Sequence, residues 1–259
     1  AAGAYFRLVG VNWDEDQHMH PDERFLSLVQ VAIAPVNSVS EYFNTAESTL
    51  NPANRGYGFF VYGTLPLFMI RYIGEALGQT GYHEITILGR YVSAIFDLLT
   101  VLLVYAVGRR LYNCWAGVLG AAFYALAVLP IQLSHYMTVD TITNTFAFLA
   151  VYAGVWALTR QEVPGAQKSR ESNPGITGES GNETASDTRP TFNFAKLGTI
   201  LRELAPYILF GLALGAATAS KINAVVLAMI LPLVEGVRFF RLKPEAREKE
   251  ILPILRNLV

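Results

Sequence analysis

Cysteine is nearly absent. Cys114 is the only one in 259 residues, which excludes a disulfide framework and a thiolate metal site and leaves that residue as a small packing group near a helix start. Charge is scarce as well: 16% of the residues are charged and the net charge is -1. The basic residues stand near the ends of apolar runs, with no patch wide enough to follow a nucleic-acid groove, so nucleic acid is excluded as a partner. Residues 1–10 lack the charged-then-apolar order of a signal peptide. What is present instead is apolar: 52% of the residues are hydrophobic, mean hydropathy is positive, and several runs approach the ~20 residues that cross a bilayer. The composition is that of an all-α polytopic membrane protein, integral and multi-pass, whose first partner is the lipid bilayer.

Against that background one polar stretch stands out. Trp13 to Phe25 gathers Asp14, Glu15, Asp16, His18, His20, Asp22, Glu23 and Arg24. Such a concentration of titratable groups in an apolar chain marks a water-facing site at the bilayer surface.

The remaining chain divides around it. Residues 1–10 read as the end of a truncated first transmembrane helix, and residues 11–86 as a first outer loop with juxtamembrane helices. Within that loop Phe25 to Ala34 is a short amphipathic segment ended by Pro35, Ser40 to Ser48 is another, and Asn51 to Gly58 is turn-rich. Residues 87–159 hold three spans, Ile87 to Val107, Ala116 to Leu133 and Ile142 to Leu158, with a second acidic loop near 134–141. Residues 160–196, rich in Ser, Gly, Glu, Thr and Asn, read as a flexible cytoplasmic linker. Residues 205–237 carry two more spans, Ala205 to Ala219 and Ala224 to Val237, and residues 238–259 a cytoplasmic segment with the start of a further helix.

Charge asymmetry gives the orientation. Arg109 and Arg110, then Arg160 with Lys168 and Arg170, then Arg238, Arg241, Lys243, Arg247 and Lys249 form three clusters that belong in the cytoplasm. Alternating the spans from these anchors puts His135 to Asp140 and Lys221 outside. The apolar stretch Phe59 to Leu77 decides where the acidic stretch lies: as a span it would send Asp22 inward, opposite Asp140. Arg71 and Glu75 argue against burial, since such groups cost roughly 2.5 to 3.5 kcal/mol at mid-bilayer. As an interfacial helix it leaves Asp22, Glu23, Arg24, Asp140 and Lys221 together on the outer face of a plasma (inner) membrane.

Two carboxylates from separate loops beside cations at headgroup level suit a reaction whose donor is a lipid phosphate. One carboxylate accepts a proton from an attacking hydroxyl while the cations steady the departing phosphate. The ordered set His20-Pro21-Asp22-Glu23-Arg24-Phe25, Gly89-Arg90-Tyr91-Val92-Ser93-Ala94, Gly108-Arg109-Arg110-Leu111-Tyr112, Gln132 through Asp140, and Gly215 through Lys221 covers nearly the whole chain. This set resembles the GT-C superfamily of polyprenyl-phosphate-sugar glycosyltransferases, in the branch of the protein O-mannosyltransferases and the lipid A aminoarabinose transferases. The resemblance implies a GT-C-type transmembrane helix bundle with outer-face juxtamembrane helices, and a polyprenyl-phosphate sugar as donor substrate with no obligatory cofactor. It also implies that Asp22 is the catalytic carboxylate, with Glu23 its neighbour in the motif and Asp140 the second acidic residue of the catalytic set, and that Lys221 contacts the donor phosphate; Arg24, converging on the same outer face, is the other candidate phosphate-binding cation, and the acceptor is a protein, lipid or glycan. The family's short motif before a proline, which carries Glu and Lys in the aminoarabinose branch, reads here Tyr62-Gly63-Thr64-Leu65-Pro66 without either charge. The family's proteins are also longer, so this chain corresponds to the N-terminal part of one.

Simpler roles stand beside these. Asp22 and Glu23 also suit the N-terminus of the helix that follows them, and Asp140 an N-cap. Arg24 and Lys221 also suit snorkelling headgroup anchors. A divalent metal would have His18, His20 and Asp16 as candidate ligands, although their spacing matches no zinc signature. Asp97, mid-span, is expected to hydrogen-bond a Ser or Thr of a neighbouring helix. A transporter or flippase of a lipid-linked substrate would need charges along a midplane path, where Asp97 stands alone, and a non-catalytic subunit would need no converging acids.

Overall fold

The structure, a computed structural model, describes residues 1–160 and 194–241. The expected linker therefore lies almost wholly outside the described residues, with Lys168 and Arg170, and so does the terminal segment with Lys243, Arg247 and Lys249. Among the described residues there are helices and no strands. In chain order they are α1 (Ala2–Leu8), α2 (Pro21–Ala32), α3 (Val39–Phe43), a 3-10 turn (Pro52–Arg55), α4 (Thr64–Leu77), α5 (Tyr82–Leu111), α6 (Cys114–Leu126), α7 (Val128–Ser134), α8 (Val139–Thr159), α9 (Phe194–Ser220), a 3-10 segment (Ile222–Met229) and α10 (Ile230–Arg241).

Four stretches are long and apolar enough to cross a membrane: α5, α8, residues 201–220 of α9, and Ile222–Arg241; the bent pair α6 and α7 makes a fifth. Their surfaces are made for lipid. Phe123 is 70% exposed and Leu212 68%, which in water would be a liability and in acyl chains is not. The helices meet through small residues that let backbones approach. Ala150, Ala153 and Ala157 of α8 are fully buried, as are Ala213 and Ala217 of α9 to within 1%. Gly108 of α5 lies so close to Gly117 of α6 that a Cβ there would stand 2.9 Å from the Gly117 Cα.

The run Ala116 to Leu133, expected as one straight span, is broken. Pro130 has no N–H to give the Leu126 carbonyl and its ring would collide with it, so α6 stops at Leu126 and α7 leaves at 59°. At the break the Ala125 carbonyl accepts from the Arg7 guanidinium at 2.8 Å, and the Tyr124 carbonyl, which already takes the Ala127 N–H at 3.2 Å, accepts from it at 3.4 Å, which meets the demand for internal partners within a bilayer. Residues 59–77 contain α4, 14 residues and about 21 Å long, short of the ~30 Å hydrocarbon layer. Arg71 on α4 donates to the Gln30 carbonyl of α2 at 2.7 Å and pairs with Glu75 at 2.5 Å, so α4 rides on α2.

The bundle has two unlike ends. At one, Arg110 donates to Thr159 at 2.7 Å, Arg160 lies over the Tyr207 ring at 5.2 Å and Arg238 donates to the Tyr207 hydroxyl at 2.7 Å. At the other, the start of α8 and the end of α9 meet the loop helices α2 and α4.

Candidate active site

His20 turns its Nδ1 to the Glu23 N–H at 3.3 Å and so caps α2, with Pro21 at the first helical position, where its missing N–H costs nothing. The cap role is thus filled by His20. Asp22 and Glu23 follow on different faces of the helix: Asp22 is exposed and Glu23 fully buried.

Glu23 belongs to a buried ion triad. It takes the Arg90 Nε and Nη2 at 2.8 and 2.7 Å, while Asp14 takes Nη1 and Nη2 at 3.0 and 2.8 Å and the Val11 carbonyl accepts from Nη1 at 3.0 Å. All five guanidinium N–H bonds are used, in the bidentate manner that suits arginine. The hydrogen bond from Arg90 holds the Asp14 carboxyl down at about 2 against its burial. Glu23 also accepts the Met137 N–H at 2.7 Å. The triad therefore ties residues 11–14, α2, α5 and the second acidic loop into one unit.

Asp22 looks out the other way. Tyr62 lies within electrostatic reach of it and is pushed up to about 12, by burial first, then by Asp22, then by the nearby Asp140. Asp140 is the second residue of α8, past the cap position held by Thr138, and its Oδ1 accepts from Lys221 Nζ at 2.5 Å in a half-exposed pair. Gly63 closes the ring: its N–H donates to the Ser220 carbonyl at 3.1 Å, and a Cβ on it would stand 2.2 Å from the Ala219 oxygen. Only glycine permits that approach between the start of α4 and the end of α9.

The structure thus brings together Asp22, Asp140 and Lys221, with Tyr62 among them. It does not bring Glu23 there, and Arg24, two residues or about 200° round α2 from Asp22, is exposed and within electrostatic reach of Tyr82 instead. The metal candidates are dispersed: His18 packs on Tyr82 at 4.6 Å, His20 on Tyr136 at 4.4 Å, and Asp16 pairs with His83 at 3.0 Å. Among the described residues no group of three His, Cys, Asp or Glu is placed to hold a metal ion.

Beneath Asp140 a cavity of about 570 Å³ enters the bundle between α7, α8 and the 3-10 segment, walled by Leu129, Leu133 and Leu227 and reaching Asn144 and Asp97. Asp97 does not bond a Ser or Thr. It pairs with Arg7 Nε at 2.5 Å and accepts from the Tyr124 hydroxyl at 2.7 Å, which in turn accepts from Asn144 at 2.9 Å. Sequence reasoning missed Arg7, Asp14, Arg90 and Tyr62 as members of these networks. An arginine inside an apolar run was the available signal for Arg90, since such a charge needs a buried partner.

Compared with known proteins, residues 81–165 match the family described as dolichyl-phosphate-mannose-protein mannosyltransferase. That stretch runs from Gly81, which caps α5, through α8, and contains both Arg90 and Asp140. No curated protein and no solved structure matches the chain.

Proposed function

We propose, from the membership of residues 81–165 in the dolichyl-phosphate-mannose-protein mannosyltransferase family, that this membrane glycosyltransferase with a lipid-phosphate-sugar donor performs an inverting transfer on the outer face. The observation that carries the reading is the Asp140–Lys221 pair, with Asp140 at the mouth of an apolar-walled cavity and Tyr62 within electrostatic reach of both Asp140 and Asp22. Asp22, exposed and beyond the end of the spans, takes the proton of an acceptor hydroxyl or amine as its oxygen or nitrogen attacks the anomeric carbon. The bond from that carbon to the lipid phosphate breaks, and the phosphate leaves with the electron pair, beside the Lys221 ammonium. Asp140 holds Lys221 in place. The apolar walls of the cavity below suit the prenyl chain. In this reading Glu23 positions and does not react, and phosphate contact falls to Lys221, because Arg24 faces elsewhere.

Transfer from radiolabelled polyprenyl-phosphate sugars by the purified protein tests the activity itself. Lys221→Met should raise the donor KM about 10-fold or more, the scale of one charge-assisted hydrogen bond, because it removes the cation and leaves Asp140 unpaired beside an anion. Asp140→Asn frees Lys221 and should spare donor affinity while lowering turnover. Unchanged donor KM in Lys221→Met would remove the lysine from the phosphate site.

The orientation has its own test. Basic helix ends favour the cytoplasm, so an impermeant maleimide on intact cells should label Cys placed at the exposed Asn54 or Asn223 in a Cys114→Ser background. The native Cys114, exposed at the basic end, should react only after permeabilisation. The opposite pattern would put the acidic end inside.

A further inference from the structure

We infer that Tyr124 is a positioning residue for the lipid chain of the donor: its hydroxyl fixes the wall of the cavity below Asp140 and keeps Asp97 and Asn144 paired there. The inference rests on the reading of that cavity given above. Tyr124 stands two residues before the end of α6, and its hydroxyl donates to Asp97 Oδ1 of α5 at 2.7 Å while accepting from Asn144 Nδ2 of α8 at 2.9 Å. One oxygen atom therefore ties three helices together at the level of the break. The other Asp97 oxygen takes Arg7 Nε at 2.5 Å, and the same guanidinium holds the Ala125 carbonyl at 2.8 Å. The Tyr124 ring meets Phe148 of α8 edge-on, with 6.0 Å between centroids, so ring and hydroxyl are both fixed.

What this network holds in place is α7. That helix is seven residues long and Pro130 cuts it off from α6, so its direction is set by what its two ends bond to. One end follows directly from Tyr124 and Ala125; near the other, the Leu133 carbonyl accepts from the Thr141 hydroxyl at 3.4 Å. Between those ends Leu129, Pro130 and Leu133 line the cavity, and Asp97, Tyr124 and Asn144 line it from α5, α6 and α8. A carboxylate oxygen and an amide left without partners beside apolar side chains would draw water in. The phenol, bonded to both, removes that demand. Asn144 lies four residues after Asp140, about 6 Å further into the bundle. A chain whose phosphate rests at Lys221 therefore passes its first isoprene unit above this level, and only its later units meet the wall that Tyr124 holds.

The test is Tyr124→Phe, which keeps the ring and removes the hydroxyl, with binding measured on the purified protein for two probes: undecaprenyl phosphate, and dimethylallyl phosphate, which carries a single isoprene unit. Wild type should bind the long chain more tightly. In Tyr124→Phe the Kd of undecaprenyl phosphate should rise about 10-fold or more, the scale of one hydrogen bond to a charged group, while that of dimethylallyl phosphate stays where it was. A tyrosine that served stability alone would lower the unfolding temperature or the fraction of protein that binds, and leave both Kd values unmoved. Asn144→Leu keeps the Tyr124–Asp97 bond and cuts only the tie to α8. It should weaken the long chain in the same selective way, and it carries the test should Tyr124→Phe not fold. Variants that weaken both probes alike, or neither, would overturn the assignment of Tyr124 and leave the reading of the cavity standing. Wild-type protein that bound the two phosphates equally well, or bound neither, would overturn the reading of the cavity and this assignment with it.

Discussion

Asp22→Asn should lower single-turnover sugar transfer by about 100-fold or more, the usual range for removing a general base, while unfolding temperature and donor binding stay close to wild type. The structure makes this a cleaner experiment than the sequence alone would allow. A carboxylate at a helix N-terminus also stabilises the helix by its charge, by about 0.3 to 1 kcal/mol at an exposed site, and a lost cap would cost about 1 kcal/mol. Here the cap is the His20 ring, the first helical position is Pro21, and Asp22 is exposed. Asparagine keeps the size of the side chain. What it loses is the negative charge and the proton affinity. A transfer rate within about threefold of wild type, with folding intact, would move the base to Asp140 or end the proposal for this cluster.

Much of this arrangement was legible in the residues, and the reasons differ from place to place. The spans show because lipid exposure demands unbroken apolar runs, and α4, set apart in the sequence by Arg71 and Glu75, is a 14-residue helix whose Arg71 is buried against α2 with Glu75 as its partner. Asp22, Asp140 and Lys221 were legible as a group because counting passes from the basic clusters places them at one end, and the structure puts them in one small region. Pairings across sequence distance were not legible. Glu23 adjoins Asp22 in the sequence, yet a step of about 100° round a helix turns one to solvent and the other to Arg90, 67 residues away. Asp97 was expected to find a Ser or Thr of a neighbouring helix; it found the Tyr124 hydroxyl and Arg7, which lies on a seven-residue helix packed against α5, α6 and α7. The break between α6 and α7 had a plain signal in Pro130. Tyr62 showed only as part of the motif before Pro66, and it comes within reach of Asp22 and Asp140 because the Gly63 contact with α9 holds its segment there.

Replacing Arg90 by Met should destabilise the protein by about 3 to 5 kcal/mol, the range for breaking a buried ion pair by removing one partner. The two acids it leaves behind decide the size of the effect. Asp14 and Glu23 share one guanidinium, and both side chains are 0% exposed. Without the cation they are like charges out of water, and at least one must take up a proton. The Val11 carbonyl loses its partner too. Lysine at 90 should rescue little, since a single ammonium cannot serve two carboxylates and a carbonyl in fixed directions. The pH dependence follows from Asp14. Its folded carboxyl lies at about 2 against an ordinary 3.8, so its contribution to stability is present above about pH 4 and is lost as pH falls towards about 2; in Arg90→Met that acid-side loss should disappear. Thermal unfolding in detergent across this pH range measures both effects. Because Glu23 also holds the Met137 N–H, three residues before Asp140, the variant should lose transfer activity at temperatures where it is still folded. An Arg90→Met protein as stable as wild type would show that the triad is not what joins the acidic stretch to the second acidic loop.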